Sequence, residues 1–456
     1  MHRRELLKGG AGALALVLTG IAGHAHGRSW GGDVFPTVEA YGRLRRDGDH
    51  LAVPPGFTVR LLSEEGRSMG DGRPTPPLPD GMAAFALADG TVRLVRNHEV
   101  ERQPVAGLNR PRSLTYDPMA WGGVSVVDLD PATLDVIGDG LVLAGTLRNC
   151  NGGRTPWGSW LSCEETISGP ATGLEADHGY VFEVPADAPG LLEPVPLRHL
   201  GRFVHEAVAV CERHHVLYQT EDADHAPFYR WTPATGPDPN GRIDLTEPGT
   251  LEALAVVDDT GVDLSSVVTT GATWTTTWVT IDEPDPAFDL TLDELEQLDA
   301  SPVGTAALDR GAARFRRLEG CSAEGGTVWF TSTDGGAGHG QVWRYEPADD
   351  EGGTLTMVFA SPRRSVLSGP DSLCVSPKGG ILLCEDTERQ PNRVVVLTTA
   401  GHVVPLVANV GDDEEFAGAC FSPDGGTLFV NTMGDRDDGL LGRTFAVRGP
   451  WDQGPV

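Results

Sequence analysis

The chain has 456 residues, of which 59 are Gly and 34 are Pro. These residues are spread along its length, as expected for many short strands joined by tight turns. Its 65 Asp and Glu against 35 Lys and Arg give a formal net charge of -30. That charge repels phosphate backbones and anionic lipid surfaces, which argues against nucleic acid and membranes as partners. It suits a cation-binding protein, or one whose acids are ordinary solvated surface charges.

The N-terminus has the features of a twin-arginine export signal. Arg3-Arg4 precede a weakly apolar stretch that ends at Ala22, which is too short and too rich in Gly and Ala to predict a membrane span. We therefore expect residues 1–28 to be a removed signal and residues 29–456 to form a single domain. The twin-arginine translocase would be a transient partner, and the mature protein would be periplasmic or extracellular. A basic N-terminus on a cytosolic protein is the alternative.

A repeat of β-hairpin form recurs along the chain. Each copy has a short apolar run, a turn rich in Gly, Asp or Pro, and a second apolar run that ends in polar or acidic residues. The copies are 83–99, 207–222, 320–334, 372–386 and 418–432, with a looser sixth at 149–165. Six hairpin units without helical periodicity predict an all-β fold, a six-bladed β-propeller. A β-sandwich is the main alternative, although it rarely holds so many similar hairpins.

The repeat also predicts that acidic residues gather at one end of the fold, because the two ends of a hairpin lie side by side. Such a cluster would repel itself unless cations neutralised it or some acids stayed protonated. Carboxylates suit Ca²⁺, and a thiolate among them favours a transition metal. Cys150 stands where other copies have an opening acid, although burial as a small apolar side chain is its alternative. The acids before or after the paired strands are Glu99, Glu164, Glu165, Glu206, Glu221, Asp222, Glu319, Asp371, Glu385, Asp386 and Glu415.

The segment RNCNGGRTPWGSWLSCEE at 148–165 resembles the hallmark of the PhoX family of alkaline phosphatases. The likeness continues in family order over nearly the whole mature chain. Two departures are the shorter chain and Asn151, which stands where a small apolar residue is common in the family. The further similar segments are VRNHE at 95–99, GRFVHE at 201–206, RLEGCS at 317–322, GPDSLCVSPKGGILLCED at 369–386 and FAGACFSPDG at 416–425.

The resemblance implies an exported six-bladed propeller that uses Fe³⁺ and Ca²⁺ to hydrolyse phosphate monoesters with a metal-activated oxygen nucleophile. It implies that Cys150 and Glu165 bind iron and that Arg317 contacts the phosphate. Arg154 is a further candidate for phosphate contact, or it holds the Gly-rich turn. With Glu206 included from its hairpin position, the predicted metal ligands are Cys150, Glu165, Glu206, Glu221, Glu319, Asp371 and Glu385.

Two other functions are compatible with the sequence. A propeller with one calcium ion could be a lactonase-type esterase, and calcium could also only stabilise a non-catalytic binding protein. A Gly-x-Ser-x-Gly match around Ser68 lies in a Gly/Pro-rich loop rather than between a strand and a helix, so serine hydrolysis is disfavoured. His98 and His205 each precede a glutamate, where either could bind metal or orient a ligand.

Overall fold

The structure is a computed structural model that describes residues 41–348, 352–387, 391–412 and 414–456. The predicted signal, residues 1–28, lies outside these ranges. Strands dominate, and two short α-helices, α1 (Leu292–Leu295) and α2 (Pro302–Asp309), occur among the described residues.

The strands of the first part of the chain precede these helices. They are β1 (Arg45–Asp47), β2 (Leu51–Val53), β3 (Thr58–Glu64), β4 (Pro79–Ala86), β5 (Val92–His98), β6 (Gly122–Leu129), β7 (Val136–Thr146), β8 (Asn149–Arg154), β9 (Ser159–Glu164), β10 (Val181–Pro185), β11 (His205–Cys211), β12 (Val216–Glu221), β13 (Tyr229–Pro233), β14 (Gly249–Val256) and β15 (Thr273–Thr280). The later strands are β16 (Leu318–Glu324), β17 (Thr327–Ser332), β18 (Gln341–Pro347), β19 (Gly353–Ala360), β20 (Pro370–Val375), β21 (Ile381–Glu385), β22 (Arg393–Leu397), β23 (Val403–Asn409), β24 (Phe416–Phe421), β25 (Leu428–Thr432) and β26 (Arg443–Arg448).

The described strands form five antiparallel sheets. Three of them have the orders β4-β5-β6-β7, β8-β9-β10 and β24-β25-β26-β3. The fourth has the order β20-β21-β22-β23-β2-β1, and the fifth is a nine-stranded sheet that starts at β11 and ends at β16. Because β3 pairs with β26, the two ends of the described chain are joined within one sheet.

Six hairpins surround a common axis. Their first strands, β4, β8, β11, β16, β20 and β24, contact one another in sequence, and β24 returns to β4 to close the ring. The all-β, propeller-like fold is therefore confirmed. The prediction of six separate blades is wrong, because β15 pairs with β19 from Thr273↔Thr356 to Thr276↔Gly353 and joins two hairpin units into the nine-stranded sheet.

Apolar side chains between neighbouring sheets form the core. The Val394–Val396 run of β22 is fully buried on both faces, as expected for a strand covered by neighbouring sheets. Trp231 of β13 and Trp343 of β18 are the largest completely buried apolar side chains. Each large apolar side chain buried in this way contributes roughly 1.5–3 kcal/mol to folding. This packing makes the ring a rigid frame for side chains at its mouth.

Each innermost strand carries a β-bulge near its start. A bulge inserts one extra residue, bends the strand and re-aims the side chain at that point. The register with the next strand shifts between Pro79 and Met82, Asn149 and Gly152, His205 and Val208, Leu318 and Cys321, Pro370 and Leu373, and Ala417 and Cys420. The first unpaired residues of the six bulges are Asp80, Cys150, Glu206, Glu319, Asp371 and Gly418. Five of the six bulges thus present a side chain that can bind a cation.

The sixth bulge has a glycine for a steric reason. Gly418 has a φ of +60°, and a Cβ there would lie 2.3 Å from the carbonyl oxygen of Asp80. No side chain fits that space, so this hairpin contributes its carboxylate from Glu415, just before β24.

Candidate metal and phosphate site

The bulge residues converge on one mouth of the ring. Their ligand atoms form three groups, and within each group these atoms lie within 4.8 Å of one another. Glu206 belongs to two of the groups and Asp371 to two, so the groups make one continuous row. The groups are Cys150, Glu165 and Glu206; Glu206, Glu319 and Asp371; and Asp371, Asp386 and Glu415. The structure therefore brings together five of the seven predicted ligands.

Six of the seven residues of the row, all except Glu319, border a cavity of about 190 Å³. Its walls include several further charged side chains from the same hairpin ends: Asp80, Glu99, Glu101, Arg148, Glu414, Asp435, Arg436 and Asp437. This volume is sufficient for a few ions and a phosphate-sized group but leaves little space for a large substrate to be enclosed.

The electrostatics of the row favour bound cations. Burial raises the pKa of Glu206 well above its usual value, and Asp371, Glu165 and Asp80 raise it further. Burial, followed by Asp386 and Asp371, does the same to the pKa of Glu415. Without cations these groups therefore retain protons, and cation binding would release them.

Cys150 lies at one end of this row and is buried. Its Sγ is 3.2 Å from the carbonyl oxygen of His205, and burial, then Glu206 and Glu165, raise the pKa of the thiol. A thiol in this position is a ligand only once it loses its proton, which a transition metal promotes. One thiol beside many carboxylates fits a mixed site for a transition metal and a hard cation.

The paired acids at the hairpin ends face opposite sides. Three hairpins end in two consecutive acids, and successive side chains along a strand point to opposite faces. Only the second acid of each pair therefore approaches the mouth, and these are Glu165, Asp222 and Asp386.

The first acids of these pairs support the surrounding structure. Glu385 accepts hydrogen bonds from Arg393 at 2.6 and 2.7 Å, and Glu221 accepts from the backbone amide of Ser301 at 3.0 Å and from the hydroxyl of Tyr229. The sequence analysis assigned both Glu221 and Glu385 as metal ligands. The structure does not place them in the three groups found among its described residues, because the alternation of the strand turns them away.

Glu164, the first acid of the third pair, holds a buried ionic network. Its Oε1 is 2.6 Å from His178 Nδ1, and His178 Nε2 is 3.5 Å from Asp117. Burial lowers the pKa of His178, but Glu164 and Asp117 raise it to about 9 overall. Glu164 also accepts the backbone amide of Leu147, so the network fixes the chain on both sides of the Cys150 hairpin.

Arg317 lies beside the row and is held by three carboxylates. Its Nε is 3.0 Å from Asp222, its Nη2 is 3.0 Å from Glu319, and its Nη1 is 3.5 Å from Asp334. Burial lowers the pKa of Arg317, and Glu319 and then Asp334 raise it, with a net rise that keeps the guanidinium charged.

Arg154 is at the other end of the ring. It ends β8, which begins beside Cys150, and four residues of strand span about 13 Å. Its exposed guanidinium lies 5.2 Å from the ring of Phe85, and it borders a separate cavity of about 790 Å³. The structure therefore separates Arg154 from the carboxylate row, because it precedes the hairpin turn whereas the acids stand at the hairpin ends.

The two histidines have structural partners. His98 Nδ1 is 2.8 Å from the carbonyl oxygen of Pro77, and Nε2 is 2.7 Å from the hydroxyl of Ser125. His205 Nε2 is 3.0 Å from the carbonyl oxygen of Gly201, and burial lowers the pKa of His205 to about 3. Both are therefore neutral residues that support the neighbouring acids.

Sequence reasoning missed Asp80 and left Asp386 and Glu415 out of the ligand set. Burial, then Glu99 and Asp371, raise the pKa of Asp80 well above its usual value, so it shares the electrostatics of the row. Asp80 precedes the hairpin copy that the sequence delimits at 83–99, and extending that copy to include its bulge would have found it.

Known proteins were compared with this chain at the level of sequence. The sequence profile described as alkaline phosphatase PhoX matches residues 39–135 and 131–434. The chain belongs to the PhoX family of alkaline phosphatases. It is therefore a metal-dependent phosphatase that acts on phosphate monoesters. No curated protein sequence matches the chain.

One of the similar solved structures, a PhoX, shares the fold of this PhoX family member. The PhoX of Pseudomonas fluorescens, in complex with the transition-state analogue vanadate, is 18% identical with a TM-score of 0.69 and covers 92% of this chain and 99% of its own. A gluconolactonase from Xanthomonas campestris is 12% identical with a TM-score of 0.40, over 87% of this chain and 99% of its own. A protein of unknown function from Dyadobacter fermentans is 9% identical with a TM-score of 0.45, over 87% of this chain and 100% of its own. Within the described part of this chain, no helix has the length and apolarity needed to cross a membrane.

Proposed function

We propose that the carboxylate row binds iron together with calcium and that it hydrolyses phosphate monoesters with the help of Arg317. The observation that carries the proposal is the continuous row from Cys150 to Glu415, in which one thiol stands among buried and half-buried carboxylates. A single structural calcium ion binds oxygen ligands at one point, so it would account neither for the thiol nor for three groups of ligand atoms.

The donor sets suggest which residues hold which ion. Cys150, Glu165 and Glu206 combine sulfur with oxygen, which suits iron, whereas Asp371, Asp386 and Glu415 offer only oxygen, which suits calcium. The middle group, which shares Glu206 and Asp371 with both, would connect the two kinds of ion. When bound, the cations supply positive charge to the phosphoryl oxygens and lower the pKa of the attacking water.

The residues of the chain contribute binding and orientation. Arg317 presents a planar, permanently charged guanidinium, which suits two oxygens of a phosphoryl group. The carboxylate of Asp222 lies 3.0 Å from Nε of Arg317 and thereby fixes the plane of the guanidinium. The PhoX of Pseudomonas fluorescens is in complex with vanadate, a transition-state analogue, which supports a phosphoryl-transfer role for this chain.

We also propose that the protein is exported by the twin-arginine route and that residues 1–28 are removed. The support is Arg3-Arg4 followed by a short apolar segment, and membership of the PhoX family. Residues 29–456 would then be the mature domain.

Replacement of Arg317 tests the proposed chemistry. Arg317→Ala should lower kcat/KM for p-nitrophenyl phosphate about 10²–10³-fold, because it removes a charged donor at the phosphoryl group. Arg314→Ala is the matched control, since Arg314 is three residues away and pairs with the partly exposed Asp263. Steady-state kinetics on the two variants, purified with iron and calcium, decide the point. A kcat/KM of Arg317→Ala that equals those of Arg314→Ala and the wild-type protein would contradict the proposal.

A further inference from the structure

We propose that Arg148 is a phosphate-binding arginine in the wall of the 190 Å³ cavity, in addition to Arg317. The inference rests on the proposed function of the carboxylate row. It comes from the internal symmetry of the ring rather than from any property of Arg148 alone.

Arg148 and Arg317 occupy the same place in two hairpins. Arg148 immediately precedes β8 and stands two residues before Cys150, and Arg317 immediately precedes β16 and stands two residues before Glu319. Both have a left-handed backbone, with φ of 50° and 45°. The carbonyl oxygen of each accepts the amide of the residue that closes its hairpin, Glu165 at 2.9 Å and Thr333 at 3.0 Å.

Their guanidinium groups also make equivalent ion pairs. Arg148 contacts Glu165 of its own hairpin at 2.7 Å and Glu99 of the preceding hairpin at 3.2 Å. Arg317 contacts Asp334 of its own hairpin at 3.5 Å and Asp222 of the preceding hairpin at 3.0 Å. Each arginine therefore bridges two neighbouring hairpins at the mouth. The arrangement that would let Arg317 bind phosphate is thus also present at Arg148.

The left-handed backbone at this place belongs to the repeat and does not require arginine. Gly369 has the same position before β20 with a φ of 53°, and Leu78 has it before β4 with a φ of 51°. Glycine adopts this conformation without strain, whereas a side chain there costs free energy. Because Leu78 shares this conformation, the strain reflects the repeat, and Arg148 and Arg317 are distinguished by the charge that they bring to the mouth.

Arg148 also has donor capacity facing a ligand space. It borders the 190 Å³ cavity together with Cys150, Glu165 and Asp371. Its Nε is buried and donates to no acceptor among the residues that the structure describes. Cations that bind Glu165 would free the Nη2 group of Arg148, now 2.7 Å from Glu165, for a phosphate oxygen in this cavity.

Binding of inorganic phosphate tests the proposal without turnover. The metal-loaded protein is titrated calorimetrically with phosphate, and Arg148→Gly is the main variant because glycine keeps the backbone of the equivalent Gly369. We expect Arg148→Gly to weaken phosphate binding at least tenfold with iron and calcium contents unchanged. Arg148→Lys should recover part of the loss, since it restores the charge but not the forked geometry. Arg93→Ala, which removes an arginine paired with Asp128 elsewhere, should leave the affinity unchanged.

Two results would overturn the proposal. One is Arg148→Gly protein with full metal content and wild-type phosphate affinity. The other is loss of metal in Arg148→Gly and in Arg148→Lys, which would make the residue a support for the ligands only. Since phosphate binding is measured without hydrolysis, a wild-type protein that binds phosphate but does not hydrolyse p-nitrophenyl phosphate would contradict the proposed function and not the assignment of Arg148.

Discussion

At the scale of single residues, the site depends on which of two neighbouring acids faces the mouth. Asp386 belongs to the row with Asp371 and Glu415, whereas Glu385, one residue earlier, is bound to Arg393 by two short hydrogen bonds. The two residues are neighbours along a strand, so their side chains point to opposite faces and meet different environments.

This difference gives a matched pair of variants. Asp386→Asn should lower the calcium content and reduce kcat/KM at least tenfold while changing the unfolding free energy little, because it removes a ligand charge. Glu385→Gln should keep the metal and activity but cost about 2–4 kcal/mol, somewhat less than a fully buried pair, since it leaves the half-buried Arg393 without its ionic partner. Elemental analysis, kinetics and denaturant unfolding of both proteins separate the roles. Loss of calcium in Glu385→Gln with retention in Asp386→Asn would reverse the assignment.

At the scale of the secondary-structure element, the β-bulges connect the repeat to the site. The inner strands approach closely at the bulges, and the second bulge residue is glycine in two of the six, Gly81 and Gly320. A Cβ on Gly320 would lie 2.6 Å from the backbone nitrogen of Leu373 and 2.8 Å from the carbonyl oxygen of Asp371. The bulge of β16 is thus packed against the bulge of β20, and this contact sets the separation of Glu319 and Asp371.

Gly320→Ala should therefore disturb two ligands at once. We expect a loss of about 1–3 kcal/mol in unfolding free energy, as for other overpacked interiors, together with a lower metal content. Gly236→Ala is the control, because a Cβ there meets nothing within 4 Å, and it should change stability by less than about 0.5 kcal/mol. Thermal unfolding and elemental analysis check both. A Gly320→Ala protein with normal stability and full metal would show that the strand spacing is not important.

The hairpins and their common end could be predicted from the sequence because both follow from short-range patterns. Alternating runs and turns predict the strands, and antiparallel pairing brings Cys150, Glu165, Glu206, Glu319 and Asp371 together. Bulges leave no such pattern, so the sequence alone did not show how each opening residue would be aligned with its closing pair of acids. The resemblance to the PhoX family implied Glu221 and Glu385 as ligands, whereas the row contains Asp386 and not Glu385.

At the scale of the whole molecule, the ring brings distant parts of the chain to one cavity. Pairing of β3 with β26 closes the ring, and pairing of β15 with β19 joins two of its hairpin units at their outer edges. The second pairing depends on a contact between strands far apart in sequence, which is why local patterns predicted six separate blades. Several hairpins must be in place before the acids meet, so folding assembles a charge cluster that cations would stabilise.

The metal content of the protein tests the account most directly. Protein purified without added metal, then analysed for elements, should contain both iron and calcium, and Cys150→Ala should lose iron and phosphatase activity. Cys211→Ala, which removes a buried thiol in another part of the core, should keep both. A Cys150→Ala protein with full iron and full activity towards p-nitrophenyl phosphate would contradict the central claim that the thiol and carboxylate row is the catalytic metal site.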